Sequence, residues 1–90
     1  MKILADIKRR MTIGTKMTLI DSSMKNHRYL NLPRKIDLVQ SNAVRFSGGS
    51  YLQYPKANEV SIIDDNTFRI EWTEEISKKP VTEFLTYHFD

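Results

Sequence analysis

The sequence contains no cysteine, and its 90 residues include only three glycines, three prolines and two histidines. Without cysteine there is no disulfide framework, thiolate metal site or cysteine nucleophile, which favours a reducing, cytoplasmic location. No apolar run approaches the ~20 residues that cross a bilayer, so we expect no membrane segment. His27 and His88 lie far apart and lack the neighbour that a helical metal site needs. We therefore expect neither a metal nor a cofactor.

Residue pairs that could serve catalysis have simpler interpretations. Asp64-Asp65 and Glu74-Glu75 are adjacent in sequence, and solvated loops explain such pairs better than a general acid–base pair. Gly48-Gly49 follows a strand pattern, but the Lys-Ser/Thr pair that completes the motif of a phosphate-binding loop does not follow it. The two glycines therefore indicate a turn. We expect a protein that is not an enzyme and has no small-molecule substrate.

Charge is distributed unevenly along the chain. Residues 1–56 carry eleven cationic and three acidic side chains, whereas residues 57–90 carry three cationic and eight acidic ones. Such asymmetry favours a polyanion-binding side or a partner with a complementary field. Alternatively, the two halves interleave in the fold and largely cancel, and the sequence leaves both interpretations open.

Alternating apolar and polar residues after Gly14 predict β-strands. The pattern occurs in TKMTLID, RKIDLVQ, AVRF, EVSII and TFRIEW, with turns at Ser41-Asn42 and at Asp64–Asn66. Before Gly14, the spacing of Ile3, Leu4, Ile7 and Met11 predicts a short helix. Residues 81–89 fit a helix or a strand, and their β-branched and aromatic content favours a strand.

These elements predict one domain over residues 1–90 that is mainly β (α+β), because no linker, repeat or low-complexity tract divides the chain. Short strands at this spacing are typical of a small SH3-like or OB-like β-barrel, here of five to six strands with a short N-terminal helix. The longest loop, between the first two strands, contains Lys25-Asn26-His27-Arg28. Long loops in tight domains commonly carry binding residues.

The strand pairing around Gly48-Gly49 decides which way Tyr51 faces. A two-residue loop would pair Phe46 with Tyr51 and place Leu52 in solvent. A three-residue loop with one glycine in the left-handed conformation pairs Phe46 with Leu52 and Val44 with Tyr54, which buries every large aliphatic side chain. We therefore predict that Leu52 faces the core and Tyr51 faces outward.

The candidate binding residues combine cations with aromatic rings on the long loop, the strand after it and the glycine hairpin. They are Lys25, His27, Arg28, Tyr29, Arg34, Lys35, Arg45, Tyr51 and Lys56. Cations follow a phosphate backbone, and exposed aromatic rings stack on unpaired bases. The simpler alternative is that Tyr29 anchors the loop and the basic side chains are only solvated.

Several stretches resemble small, largely uncharacterised proteins carried by phages and other mobile elements of Gram-positive bacteria. The similarity covers Ile13 to Ile70, through IGTKMTLID, VQSNAVRF, GGSYLQYPKANEV and NTFRI. It implies an accessory role, either in handling DNA or in inhibiting a host defence protein, and it assigns no residue a function.

Two functional hypotheses follow. The first is a non-enzymatic accessory protein of a phage or mobile genetic element that binds nucleic acid, with single-stranded DNA as the expected partner and RNA as the alternative. The second is a protein-binding inhibitor or accessory subunit, for example of anti-CRISPR type, that acts on an enzyme of the host or the mobile element.

Overall fold

The computed structural model describes residues 2–90 of the chain. This part contains seven antiparallel strands and one short helix. They are α1 (Leu4–Arg10), β1 (Lys16–Ser22), β2 (Pro33–Val39), β3 (Ala43–Phe46), β4 (Tyr51–Gln53), β5 (Val60–Asp64), β6 (Thr67–Ile76) and β7 (Lys79–Phe89), with a 3-10 turn at Ala57–Glu59. The prediction of a mainly β fold with a short N-terminal helix is confirmed. Within residues 2–90, no helix has the length and apolar character needed to cross a membrane.

The predicted closed barrel of five to six strands is wrong. The strands form one sheet in the order β4-β3-β2-β1-β7-β6-β5, so β4 and β5 lie at its two edges and do not pair. β4 has only three residues, and Pro55, which follows it closely, has no backbone N–H to donate. The chain then enters the 3-10 turn instead of extending β4, so the edges stay apart.

The C-terminal strand β7 is the longest and lies near the middle of the sheet, between β1 and β6. The strand prediction for residues 81–89 is therefore confirmed. Leu85, Tyr87 and Phe89 alternate with Thr86 and His88 and pack into or against the core. This period of two is that of a strand, and Thr86 on the opposite face is also buried, where its hydroxyl accepts a hydrogen bond from Arg69.

Aromatic rings from distant strands show that the sheet is strongly curved. The ring of Tyr87 on β7 stacks at 6.3 Å from Phe46 on β3 and at 5.9 Å from Phe68 on β6. β3 and β7 are separated in the sheet by β2 and β1, so the first pair can meet only if the sheet curls. We call the side that holds these rings the concave face.

The helix α1 crosses one end of the concave face. Of the predicted apolar face, Ile7 and Met11 are almost completely buried in the core, whereas Ile3, at the N-cap, is 61% exposed. Arg10 donates a hydrogen bond of 2.6 Å to a backbone carbonyl in the β5–β6 turn. At the other side, the Lys8 ammonium lies 4.9 Å from the centre of the Tyr54 ring, just after β4. The helix thus spans the distance between the two sheet edges at this end.

The predicted pairing of the glycine hairpin is wrong by two residues. Leu52 pairs with Val44, whereas the sequence suggested Phe46 as its partner and Tyr54 as the partner of Val44. The loop holds only residues 47–49, and both of its glycines have positive φ, 103° and 98°. The loop thus has the predicted three residues, but both glycines have positive φ where one was expected, and Phe46 hydrogen-bonds with Ser50 across its ends.

The predicted facing of the hairpin residues is nevertheless confirmed, because a shift of two residues keeps each side chain on its side of the sheet. Leu52 is buried in the core at 7% exposure, and Tyr51 is 53% exposed. Tyr51 lies opposite Arg45 on the neighbouring strand, as its outward orientation requires.

β6 and β7 continue past the body of the protein as a hairpin arm, residues 73–82. Its strands pair regularly from Thr73 with Thr82 to Ile76 with Lys79, and its side chains are mostly exposed. The interpretation of Glu74-Glu75 as a loop is therefore wrong, since both residues belong to β6. The arm turns at 77–78, where a serine and a lysine have positive φ of 51° and 64°.

The facing of the hairpin gives a stability prediction. Leu52→Ala should lower the free energy of unfolding by about 2–4 kcal/mol, because it truncates a buried aliphatic side chain. Tyr51→Ala should lower it by less than about 1 kcal/mol, since most of that side chain is already in solvent. Urea denaturation of the two variants measures both values, and equal losses would contradict the facing of Leu52 and Tyr51.

Candidate functional site

A groove opens on the concave face. It consists of two adjoining cavities, of about 170 Å³ and about 350 Å³, that share Tyr51, Leu52 and Leu85. The remaining lining of the first cavity is Met17, Leu19, His27, Tyr29, Leu32, Arg34, Phe46, Ser50 and Tyr87. The remaining lining of the second is Gln53, Tyr54, Pro55, Glu59, Ile70 and Trp72. The groove exists because the sheet curls without closing, so that β4 and β6 face each other across a gap.

Arg34 supplies the positive charge of the first cavity. Its guanidinium stacks on the ring of Tyr29, 3.8 Å from the ring centre, and lies 5.1 Å from the centre of Phe46. It donates hydrogen bonds to the hydroxyl of Ser50 and, at 2.8 Å, to the carbonyl of Ser47. Arg34 forms no ion pair with any carboxylate of residues 2–90.

The glycine hairpin is shaped around this guanidinium. A Cβ placed on Gly48 would lie 3.2 Å from an Arg34 terminal nitrogen, which is closer than most side chains tolerate. Gly48 also has a φ of 103°, a conformation that side-chain-bearing residues rarely adopt. Glycine at this position therefore lets the loop wrap Arg34 closely and hold it in place.

Tyr87 forms part of the inner wall of the first cavity. It is only 9% exposed, and burial raises the pKa of its phenol to about 12, because the phenolate would lose its hydration. The nearby positive charge of Arg34 opposes this shift but is the smaller effect. Tyr87 is therefore a neutral hydroxyl at any ordinary pH.

Four of the nine predicted binding residues line the first cavity: His27, Tyr29, Arg34 and Tyr51. The long β1–β2 loop delivers the first two, whose rings lie 5.9 Å apart at an angle of 53°. The Nδ1 of His27 accepts a hydrogen bond of 3.2 Å from the backbone N–H of Tyr29, which fixes the turn between them. The loop and the hairpin thus meet at Arg34.

The other five predicted residues do not line the groove. Arg28 is exposed on the β1–β2 loop, with its guanidinium 5.5 Å from the centre of the Tyr29 ring. Lys25 lies 3.8 Å from a carboxylate oxygen of Asp21 in a solvent-exposed pair. Lys56 is exposed just beyond β4, before the 3-10 turn.

Lys35 and Arg45 lie on the outer side of the sheet. The guanidinium of Arg45 contacts Asp37 at 2.8 Å, and this hydrogen bond raises the pKa of Arg45 above its usual value. Lys35 pairs with Lys16 on β1, and both side chains are exposed. Neither cation lines the groove, although Arg45 lies beside Tyr51, its partner on the neighbouring strand.

Apart from Tyr51, no residue of the second cavity was predicted from the sequence as a binding residue. Trp72 follows Phe68 and Ile70 in an alternating pattern, which assigned it to the core, but it is half-buried and open to the groove. Its indole N–H donates a hydrogen bond of 3.1 Å to Glu74. The one available signal was its place at the end of the apolar pattern, before a polar stretch.

The uneven charges of the sequence partly interleave in the fold. Arg69 of the acidic half lies 3.7 Å from Asp21 of the basic half. In the groove lining the two charges are separated, with Arg34 in the first cavity and Glu59, the one carboxylate residue of the lining, in the second. Within residues 2–90, no group of three or more potential metal ligands comes together.

Comparisons with protein-family models, curated proteins and solved structures found no match for this chain.

Burial of Tyr87 gives a prediction for alkaline pH. Its folded-state pKa of about 12 exceeds the unfolded value of about 10, so its contribution to stability is complete below pH ~10 and is lost as the pH rises through ~12. The contribution is of the order of 2 kcal/mol. Denaturant unfolding across this range should show a smaller loss for Tyr87→Phe than for the unsubstituted protein. Identical losses would contradict the burial of the phenol.

Proposed function

We propose that the protein binds single-stranded nucleic acid in the groove, without catalysing a reaction. The observation that carries the proposal is an aromatic, largely apolar groove with a fixed guanidinium, that of Arg34, which no carboxylate of residues 2–90 neutralises. A positive charge beside aromatic surfaces suits a chain of anionic, planar groups.

The aromatic rings account for contacts to bases. Trp72 lines the second cavity, and Tyr29 lines the first with one ring face covered by Arg34. Tyr51 borders both cavities and is 53% exposed, with its side chain on the outward side next to Arg45. Unpaired bases stack on such rings, at about 1–3 kcal/mol per base, and stacking accepts every base because each has a π face. Rings in both cavities allow neighbouring bases to be held along the groove.

Exposed cations near the groove account for contacts to phosphates. Arg28 adjoins the Tyr29 ring, and Lys56 follows the strand that carries Tyr51. Lys25 is paired with Asp21 only in an exposed contact, which is worth little in water. These cations would follow the backbone without reading its sequence. Lys35 and Arg45, on the outer side, are not part of the proposed site.

Protein binding is the second candidate, and the hairpin arm favours it. The arm leaves both of its faces uncovered and exposes half of Ile76 at its end. Its turn holds Ser77 and Lys78 at positive φ, a cost that glycine would avoid. A projecting, apolar-tipped hairpin is suited to contact an enzyme of a host or mobile element, the partner that the second hypothesis expects.

Fluorescence anisotropy with a labelled single-stranded oligonucleotide separates the two candidates. If the protein binds single-stranded nucleic acid, Arg28→Ala should weaken binding and flatten its salt dependence, because one phosphate contact is lost. Tyr51→Ala should weaken binding by about 1–3 kcal/mol and leave the salt dependence nearly unchanged, since stacking releases no counterion.

Lys79→Ala is the control, because it removes a cation from the arm, far along the sheet from the groove. It should leave binding nearly unchanged. The absence of oligonucleotide binding at low salt would exclude the first candidate. Capture of a purified host or element enzyme that Ile76→Ser abolishes would then support the second.

A further inference from the structure

The guanidinium of Arg34 has hydrogen-bonding capacity that the protein leaves unused. Arginine carries five N–H donors in a planar fork, and Ser50 and Ser47 each accept one hydrogen bond from it. Stacking on Tyr29 and the close approach of Gly48 restrict the plane of the fork. A rigid, partly unsatisfied fork at the wall of a cavity is suited to a ligand that presents two acceptors side by side.

The first cavity has the size of a ring-shaped ligand. At about 170 Å³ it is close to the ~150 Å³ of a cavity that holds benzene inside a protein. Leu52, Leu85 and Phe46 provide apolar surface around it, and Tyr51 stands at its edge. This volume suits a single base, whereas the wider second cavity continues the groove.

We propose that the first cavity is a guanine-selective pocket in which Arg34 reads the base. This inference rests on the proposed single-strand binding and adds a base preference to it. Guanine presents O6 and N7 as two neighbouring acceptors, the pattern that arginine contacts with two parallel hydrogen bonds. Adenine presents a donor in place of O6, and unpaired thymine presents O4 and O2 on either side of the N3–H donor, so neither base satisfies the fork. Unpaired cytosine also presents two neighbouring acceptors, N3 and O2, so the selectivity is for guanine over adenine and thymine.

The test compares oligothymidines that are identical except for one central base. Anisotropy should show the strand with guanine binding about 5-fold to about 150-fold more tightly than the strand with adenine, the range of one bidentate contact. Arg34→Lys keeps the charge but loses the fork, so its affinities for the two strands should become nearly equal. Lys56→Ala should weaken both strands by the same factor and keep the preference.

A second variant protects the test against a folding defect. Ser50→Ala leaves the guanidinium in place and removes one of its two anchors, so it should reduce the guanine preference while thermal unfolding shows a folded protein. Persistence of the full preference in Arg34→Lys would overturn the assignment of Arg34.

The outcomes also distinguish this inference from the function on which it rests. Equal affinity of the unsubstituted protein for guanine and adenine strands would overturn the guanine pocket and leave single-strand binding intact. No binding to any strand would overturn both. Binding of a glutamate-rich peptide, weakened by Arg34→Ala, in the absence of oligonucleotide binding would show a carboxylate pocket and would likewise overturn the proposal.

Discussion

The stacking of Tyr87 between Phe46 and Phe68 is the contact on which the rest of the structure depends. It joins β3, β7 and β6, which are not all neighbours in the sheet. Aromatic rings bury more area than other side chains, and their stacking adds to that gain. The curvature that brings these rings together gives the sheet its concave face. Ile7 of the helix and Met11 at its C-cap complete the core on this face.

The groove follows from curvature that stops short of closure. A closed barrel of this size fills its interior with side chains and has no open edges. Here the three-residue β4 and Pro55 end one edge early, and β4 and β6 remain separated by the wider cavity. Polar groups that a closed barrel would exclude from its interior, above all the Arg34 guanidinium, thereby gain access to solvent.

Local sequence patterns predicted those features that depend on the alternation of side chains. The facing of Leu52 and Tyr51 and the strand at residues 81–89 follow from this alternation. Barrel closure was wrongly predicted because it depends on whether distant edges meet, which no local pattern encodes. The hairpin arm was missed because its turn at Ser77-Lys78 contains no glycine, the usual signal for two residues at positive φ.

The candidate site also combines features that local alternation predicts with features that depend on how distant strands meet. His27, Tyr29, Arg34 and Tyr51 converge because the long loop and the glycine hairpin flank neighbouring parts of the sheet. Arg45 has a similar sequence context, but the alternation of β3 places it on the outer side with Asp37. Trp72 joins the groove only because the sheet curls.

Trp72 is the only tryptophan in the chain, and it lines the groove, so its fluorescence reports directly on whether a ligand lies there. During titration with a single-stranded oligonucleotide, the account predicts a saturable change in Trp72 emission at the same concentrations that raise the anisotropy of the labelled strand. Saturable oligonucleotide binding with unchanged Trp72 emission would contradict binding in the groove.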